Sequence, residues 1–550
     1  MRLLLFFIIF LAFSLRFFDL GGTPLSLNRD EVGLGYDAYS LLHTGRDQFG
    51  KLLPLTLRSS DDYKPALYVY STIPPLLLFG LNAFAVRLSS AFMGVLTIII
   101  TYYLLKTILD GRKYSIRISL ISAFLLAVSP WHVQFSRGAF EANLSLFWMV
   151  AGLLFFFKSR TSILFSLFAG ISLGCSLLTY HAARFVVPVL IFFLFMFNYD
   201  LKKFRNKYSV TFLSIFLVLF ILIFPAIISR EAQIRFRVLN IFSDPVYTQQ
   251  SASKMLMDEN LGHGESGRFF HNRRLIPFNY ESLMNVLTNF RKHIDPSSAV
   301  FGRDDARIQS HHAPEVGVVS MVESIFILLG FVYLLKNLDR KSILIPLWFF
   351  VGFIPAVITW DVPSYLRGIL VLPTIQFIAS FGVVIFLSFT EKISKFFKLF
   401  CIGLIIILTI FNIGLFCHQY FVHLNYEEAE SWRYGRKESA LLSEQLKGAY
   451  EKVIVSTSLD DPHLFYLFYL RYNPETYLSH GGTVRGGWTA TENRFDKYEF
   501  HPLPPKEKFI EDSQKNVLYV GFPQEFPEDI KPIKTINYPN GSKAIVLVAR

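Results

Sequence analysis

The sequence predicts an α-helical multi-pass membrane protein with a small α/β domain at its carboxyl end. Three observations carry that class. Hydrophobic residues make up 52% of the 550 positions, 58 of them Phe, and mean hydropathy is +0.39, more apolar surface than a soluble chain buries. Apolar runs almost free of charge recur through the first 420 residues. Beyond them the chain turns polar, and its short alternating segments have the pattern of a soluble domain.

A bilayer core takes about 20 apolar residues per helix, and about eleven segments qualify. They lie near 3–20, 84–105, 116–133, 140–157, 162–179, 184–197, 209–228, 317–335, 342–359, 367–389 and 399–418. Basic residues follow every second run: Lys106, Arg112, Lys113 and Arg117; Lys158 and Arg160; Lys202, Lys203, Arg205 and Lys207; Lys336, Arg340 and Lys341; Lys392, Lys395 and Lys398. Cytoplasmic loops retain such charges, which predicts a cytoplasmic amino terminus and an extracytoplasmic carboxyl terminus in the cell membrane. Much of the +12 net charge is then topological, and no nucleic-acid partner is expected. The first run is long and Gly21-Gly22-Thr23-Pro24 makes a poor cleavage site, so it reads as an uncleaved span. Cys175, Cys401 and Cys417 sit in or beside spans without ligand spacing, which argues against a disulfide framework or a zinc site.

The inner loops are short and the outer segments long, so the activity is expected outside. Residues 1–420 read as the membrane module, with outer loops 21–83 and 229–316; residues 421–550 read as the extracytoplasmic α/β domain. The second loop, with Phe269, Phe270 and Tyr280, suits short helices over the membrane surface. In the tail, Tyr426 to Lys447 reads as a helix, and 452–456, 517–521 and 544–548 as buried strands. Gly481-Gly482 and Gly486-Gly487 lack the strand and helix context of a phosphate cradle.

Candidate chemistry begins at Asn28-Arg29-Asp30-Glu31. Asn28 and Glu31 have capping-box spacing. Successive helical residues point about 100° apart, so Asp30 and Glu31 cannot both face one reacting atom: if one is a base, the other caps or orients. Asp37 shares the face of Asp30. Lys64, in Asp61-Asp62-Tyr63-Lys64-Pro65, is either a snorkelling residue or a cation for a phosphate at headgroup depth. Tyr68, Tyr70 and Pro74-Pro75 suggest an interfacial helix. Arg137 and Glu141 stand four apart, spaced for an ordinary ion pair, although a charge at a span's entrance is costly unless paired or used. Tyr180 with Arg184, and Tyr365 with Arg367, place cations beside aromatics at other outer edges. An outer-leaflet cavity with bases and phosphate-binding cations is the economical reading.

Taken in order, Asp30-Glu31, Thr44-Gly45-Arg46-Asp47, Tyr63-Lys64-Pro65, Phe79-Gly80 through Arg87-Leu88, Ser136 through Glu141, Tyr180 with Arg184, and Arg367 with Pro373 resemble a lipid-carrier-dependent glycosyltransferase. The superfamily is GT-C, in the branch of protein O-mannosyltransferases and aminoarabinose transferases. The resemblance implies a GT-C fold and transfer of a hexosyl or pentosyl group from a polyprenyl-phosphate-linked donor to a lipid, glycan or protein acceptor, with inversion. It implies Asp30 as general base, with Glu31 and Glu141 as the other catalytic candidates. Lys64, Arg137, Tyr180, Arg184, Tyr365 and Arg367 become substrate-binding candidates, Arg137 foremost for the lipid phosphate. No β-trefoil insert of the eukaryotic protein mannosyltransferases is recognisable. No cofactor is implied, and no divalent-metal ligand set is seen; His43, His132 and His181 read as interfacial.

A lipid-linked glycan flippase or transporter is the main alternative, but it would carry ionisable residues at the midplane of broken helices, whereas these charges gather at one edge. An oligosaccharide ligase or polymerase would differ only in the size of what it transfers. A scaffold is disfavoured by the lack of any recognisable binding motif in the tail.

Overall fold

The computed structural model describes residues 2–59, 62–159, 162–198, 206–229, 239–243, 245–272, 279–303, 312–484, 493–511 and 516–550. Asp61, Arg160, Lys202, Lys203, Arg205 and the Gly486-Gly487 pair lie outside them. Every expected apolar run contains a helix. Among the described residues five helices are long and apolar enough to cross a membrane: Ala83–Ile108, Glu141–Lys158, Lys207–Ile227, Thr374–Ile393 and Lys395–Glu427.

The amino-terminal helices are α1 (Arg2–Phe17), α2 (Arg29–Thr44), α3 (Leu67–Phe79), α4 (Ala83–Ile108), α5 (Ser115–Val128), α6 (Pro130–Arg137) and α7 (Glu141–Lys158). The run 116–133, expected as one helix, is two, bent by 53° between α5 and α6. Pro130 explains the break, because its ring removes an N–H from a continuing helix yet suits the first position of a new one. Arg137 ends α6 and Glu141 begins α7, so their four-residue spacing does not lie on one helix.

The chain forms two compact units. One comprises Met1–Ala12, Gly94–Gln134 and Ser145–Leu415; the other comprises Phe13–Met93, Phe135–Leu144 and Phe416–Arg550. Within the first, helices Met321–Lys336 and Thr374–Ile393 cross at glycines. A Cβ on Gly330 would stand 1.9 Å from the Ile378 carbonyl oxygen, and one on Gly382 would stand 2.1 Å from that of Phe326. Only glycine permits that approach of two backbones. The described part of loop 229–316 includes the expected short helices, Pro245–Asn260, Gly264–His271 and Tyr280–Ile294.

The second unit carries two sheets. Strands β1 (Thr56–Ser59) and β2 (Asp62–Pro65) form an antiparallel pair with Leu57 opposite Lys64. The tail adds β3 (Lys452–Ser456), β4 (Asn493–Phe495), β5 (Tyr498–His501), β6 (Val517–Gly521), β7 (Lys534–Asn537) and β8 (Lys543–Ala549) in the order β4-β5-β3-β6-β8-β7. Central β3 runs parallel to both neighbours and, like β6, is buried along nearly all its length, which explains why both read as continuous apolar runs. Ile454, Val517, Tyr519, Phe526, Val546 and Val548 share one core. The helix expected over 426–447 is instead Arg436–Leu446. The preceding residues turn through Arg433 and Gly435, at φ 56° and 92°.

Candidate functional site

The site starts at the amino end of α2. Asn28 Oδ1 accepts from the Glu31 N–H and Glu31 Oε2 from the Asn28 N–H, both at 3.0 Å, so two donors left over at the helix start are satisfied reciprocally. Glu31 is buried. Its Oε1 accepts from Arg87 Nε at 2.8 Å and from the Ala139 N–H at 2.9 Å, and its Oε2 from Arg87 Nη2 at 3.1 Å. Arg87, equally buried, gives its other donors to the carbonyls of Leu20, Pro24 and Ser26. Glu31 therefore organises the first loop, on a bearing about 100° from that of Asp30.

Asp30 turns the other way and is 48% exposed. Lys64 Nζ, presented by β2, lies 2.8 Å from Asp30 Oδ1 and 3.9 Å from Glu141 Oε1. Three expected residues from three separate segments thus converge on one point. A narrow pocket beside them is lined by Asp30, Asp37, Gln48, Lys64, His463 and Thr483, among others. It has room for about one water molecule.

His463, Gln48 and Thr483 are absent from the sequence-based candidates. His463 and Thr483 stand more than 400 residues along the chain from Asp30, and no local pattern marks them. Thr483 Oγ1 donates to Gln48 Oε1 at 3.0 Å, joining the tail to the first loop. Burial pushes the His463 imidazole down to about 4, so it faces the pocket neutral. Gly35 lets α2 seat against the tail: a Cβ there would meet the Phe468 ring at 2.6 Å and Val86 at 2.8 Å.

Burial also pushes the Asp37 carboxyl up to about 7, against the opposing bond from the Gln48 N–H. Between about pH 4, where an unfolded aspartate titrates, and about 7, the folded protein holds a proton the unfolded chain has released. That contribution to stability is complete below the unfolded value and is lost as pH rises through the folded one. Asp37→Asn is expected to flatten this slope, so its melting temperature gains on wild type from pH 5 to 8. Parallel melting curves across that range would refute the assignment.

Arg137 is built into the fold. It is fully buried, and its Nη atoms donate to the carbonyls of Leu15, Asp19 and Thr23 at 3.0, 3.2 and 2.9 Å. Its guanidinium lies 4.7 Å from the Phe421 ring centroid. A guanidinium enclosed by carbonyls and an aromatic face braces the chain.

Tyr180, Arg184, Tyr365 and Arg367 belong to the other unit. The Tyr180 hydroxyl reaches the Leu366 carbonyl at 3.5 Å, and Arg184 Nη1 lies 3.1 Å from His181 Nδ1. Arg367 pairs with Asp361 at 3.0 Å. Tyr365 is buried and donates to Ser298 Oγ at 3.2 Å. Beside it, His293 Nε2 accepts from the Ser364 N–H at 2.9 Å, and burial pushes that imidazole down to about 4, the neutral form such an acceptor requires. These bonds fix the loop that presents Arg367. Among the described residues no group of three or more His, Cys, Asp or Glu is placed to hold a metal ion.

Residues 7–236 match the family model described as dolichyl-phosphate-mannose-protein mannosyltransferase. No curated protein sequence matches the chain. Among solved structures, ArnT from Cupriavidus metallidurans bound to undecaprenyl phosphate is similar at a TM-score of 0.54 and 12% identity, over 99% of this chain and 97% of that one. The apo oligosaccharyltransferase of Archaeoglobus fulgidus is similar at 0.52 and 14%, over 95% and 69%. The latter enzyme tethered to an acceptor peptide containing the NVT sequon gives 0.51 and 14%, over 85% and 63%. At these identities the likeness is one of fold.

Proposed function

We propose that this protein, whose fold is GT-C and whose residues 7–236 match the protein mannosyltransferase family model, is an integral-membrane glycosyltransferase. It moves a sugar from a polyprenyl phosphate to an acceptor hydroxyl or phosphate at the outer face of the membrane. Residues 1–420 supply the transferase module, and residues 421–550 a domain outside the membrane. The single observation that carries this reading is the meeting of Asp30, Lys64 and Glu141. The undecaprenyl phosphate named with the ArnT structure supports the class of donor.

Asp30 takes the proton of the acceptor oxygen as that oxygen bonds to the anomeric carbon. The bond from that carbon to the phosphate oxygen breaks, its electron pair leaves with the lipid phosphate, and the configuration inverts. Lys64 brings positive charge to the departing phosphate, a kind of stabilisation that is strong where water is excluded. Glu141 orients Lys64, its carboxylate standing 3.9 Å from the ammonium.

The test is incubation of the purified protein with a panel of polyprenyl-phosphate monosaccharides and candidate acceptors, with free lipid phosphate as the readout. Release that depends on an acceptor is the expected result. Folded protein that stays silent across the panel would sink the reading and favour a transporter or an oligosaccharide ligase.

A further inference from the structure

The tail approaches Asp30 through one corner of its backbone. Asp460 and Asp461 are consecutive and have φ of 63° and 51°, a left-handed conformation that side-chain-bearing residues keep only where their surroundings hold it. Charge is concentrated there. Arg433 donates to Asp460 Oδ2 from Nε at 3.0 Å and lies 2.8 Å away through Nη2. Arg29 Nη1 is 3.1 Å from Asp460 Oδ1 and 3.7 Å from Asp461 Oδ2. Arg29 Nε is 3.8 Å from Asp30 Oδ1, beyond hydrogen-bond length. The same guanidinium is therefore shared between the corner and the base, and the corner has the closer hold.

We propose that Asp460 is a positioning residue for Asp30, drawing Arg29 away from the base's carboxylate. This rests on the reading of Asp30 as base, and it gives the carboxyl-terminal domain a part in transfer. Among the described residues, the charged groups placed around Asp30 include Arg29 on its own helix, Lys64 on β2 with Glu141 near it, and Asp460 and Asp461 in the tail. Asp37 and His463 line the same pocket. Among these, Arg29 is the cation whose closest carboxylate belongs to the tail. With Asp460 neutralised, Arg29 loses that partner and turns to Asp30, while the negative field of Asp460 disappears. Both changes hold protons less tightly at Asp30; an opposite charge within a few ångströms moves a carboxylate by about 1–3 units. A weaker base then accepts the acceptor's proton more slowly.

The experiment is the pH–rate profile of kcat for lipid-phosphate release by the full chain, with thermal unfolding measured alongside. Asp460→Asn should move the acidic limb down by about one pH unit and lower the plateau by up to about tenfold. Asp460→Glu should stay close to wild type, and adding Arg29→Gln to Asp460→Asn should move the limb back up. Arg29→Gln alone should move it up, which keeps the test decisive should Asp460→Asn unfold. A limb unmoved by Asp460→Asn, or unmoved by Arg29→Gln, overturns the proposal. If the limb vanishes in Asp30→Asn yet is unmoved in these variants, the positioning role alone fails; if Asp30→Asn keeps the wild-type profile, the base itself is misassigned.

Discussion

Asp30→Asn is expected to reduce sugar transfer by about 10²–10⁴-fold, the range a positioned general base contributes, while the protein remains folded. The two halves of that expectation have separate causes. An amide of nearly the same shape cannot take up the acceptor's proton, so the chemical step loses its base. The fold is spared because the cap of α2 uses Asn28 and Glu31, and Asp30 takes no part in it. Lys64 loses the Asp30 carboxylate but keeps Glu141 at 3.9 Å. Lipid-phosphate release and the melting temperature, measured on one preparation, separate the two effects. Near-normal turnover would remove Asp30 as the base.

Glu31→Gln is expected to act the other way, through the fold. Arg87 is fully enclosed, and Glu31 is its ion-pair partner at 2.8 Å. Removing one partner of a buried pair leaves a charge without compensation and costs about 3–5 kcal/mol, a large share of the roughly 5–15 kcal/mol that holds a typical protein together. The loss also reaches Ala139, whose N–H bonds the same carboxylate, so the segment leading to Glu141 loosens along with the first loop. The expected result is a sharp fall in folded, monodisperse protein and in its melting temperature. A Glu31→Gln protein with wild-type stability and no activity would instead return Glu31 to a direct part in the chemistry.

Much of the architecture is legible because its cause is local. An apolar run long enough to span a bilayer is a property of contiguous residues, and α4 at Ala83–Ile108 lies close to the expected 84–105. Buried parallel strands are similarly local, and β3 and β6 fall at their expected positions. Arg137 shows where this reasoning stops. A cation at the mouth of a span reads the same whether a phosphate or three carbonyls await it, and those carbonyls belong to residues more than 110 positions away. Arg29 is the converse case: it passes for an ordinary residue of a helix's first turn until Asp460, 431 positions on, is placed against it. Lys64 lies between. Its charge and its loop are visible in sequence, whereas its place between two acids depends on the pairing of β1 with β2.

The site-bearing unit is assembled from three stretches of chain, the last of them beginning at Phe416. Synthesis therefore sets its timing. β8, which completes the tail's sheet, leaves the ribosome roughly 450 residues after the first stretch ends at Met93; at about 5–20 residues per second that is a wait of about 20–90 s. Until the tail folds, Asp30, Lys64 and Arg29 exist without Asp460, His463 and Thr483 beside them.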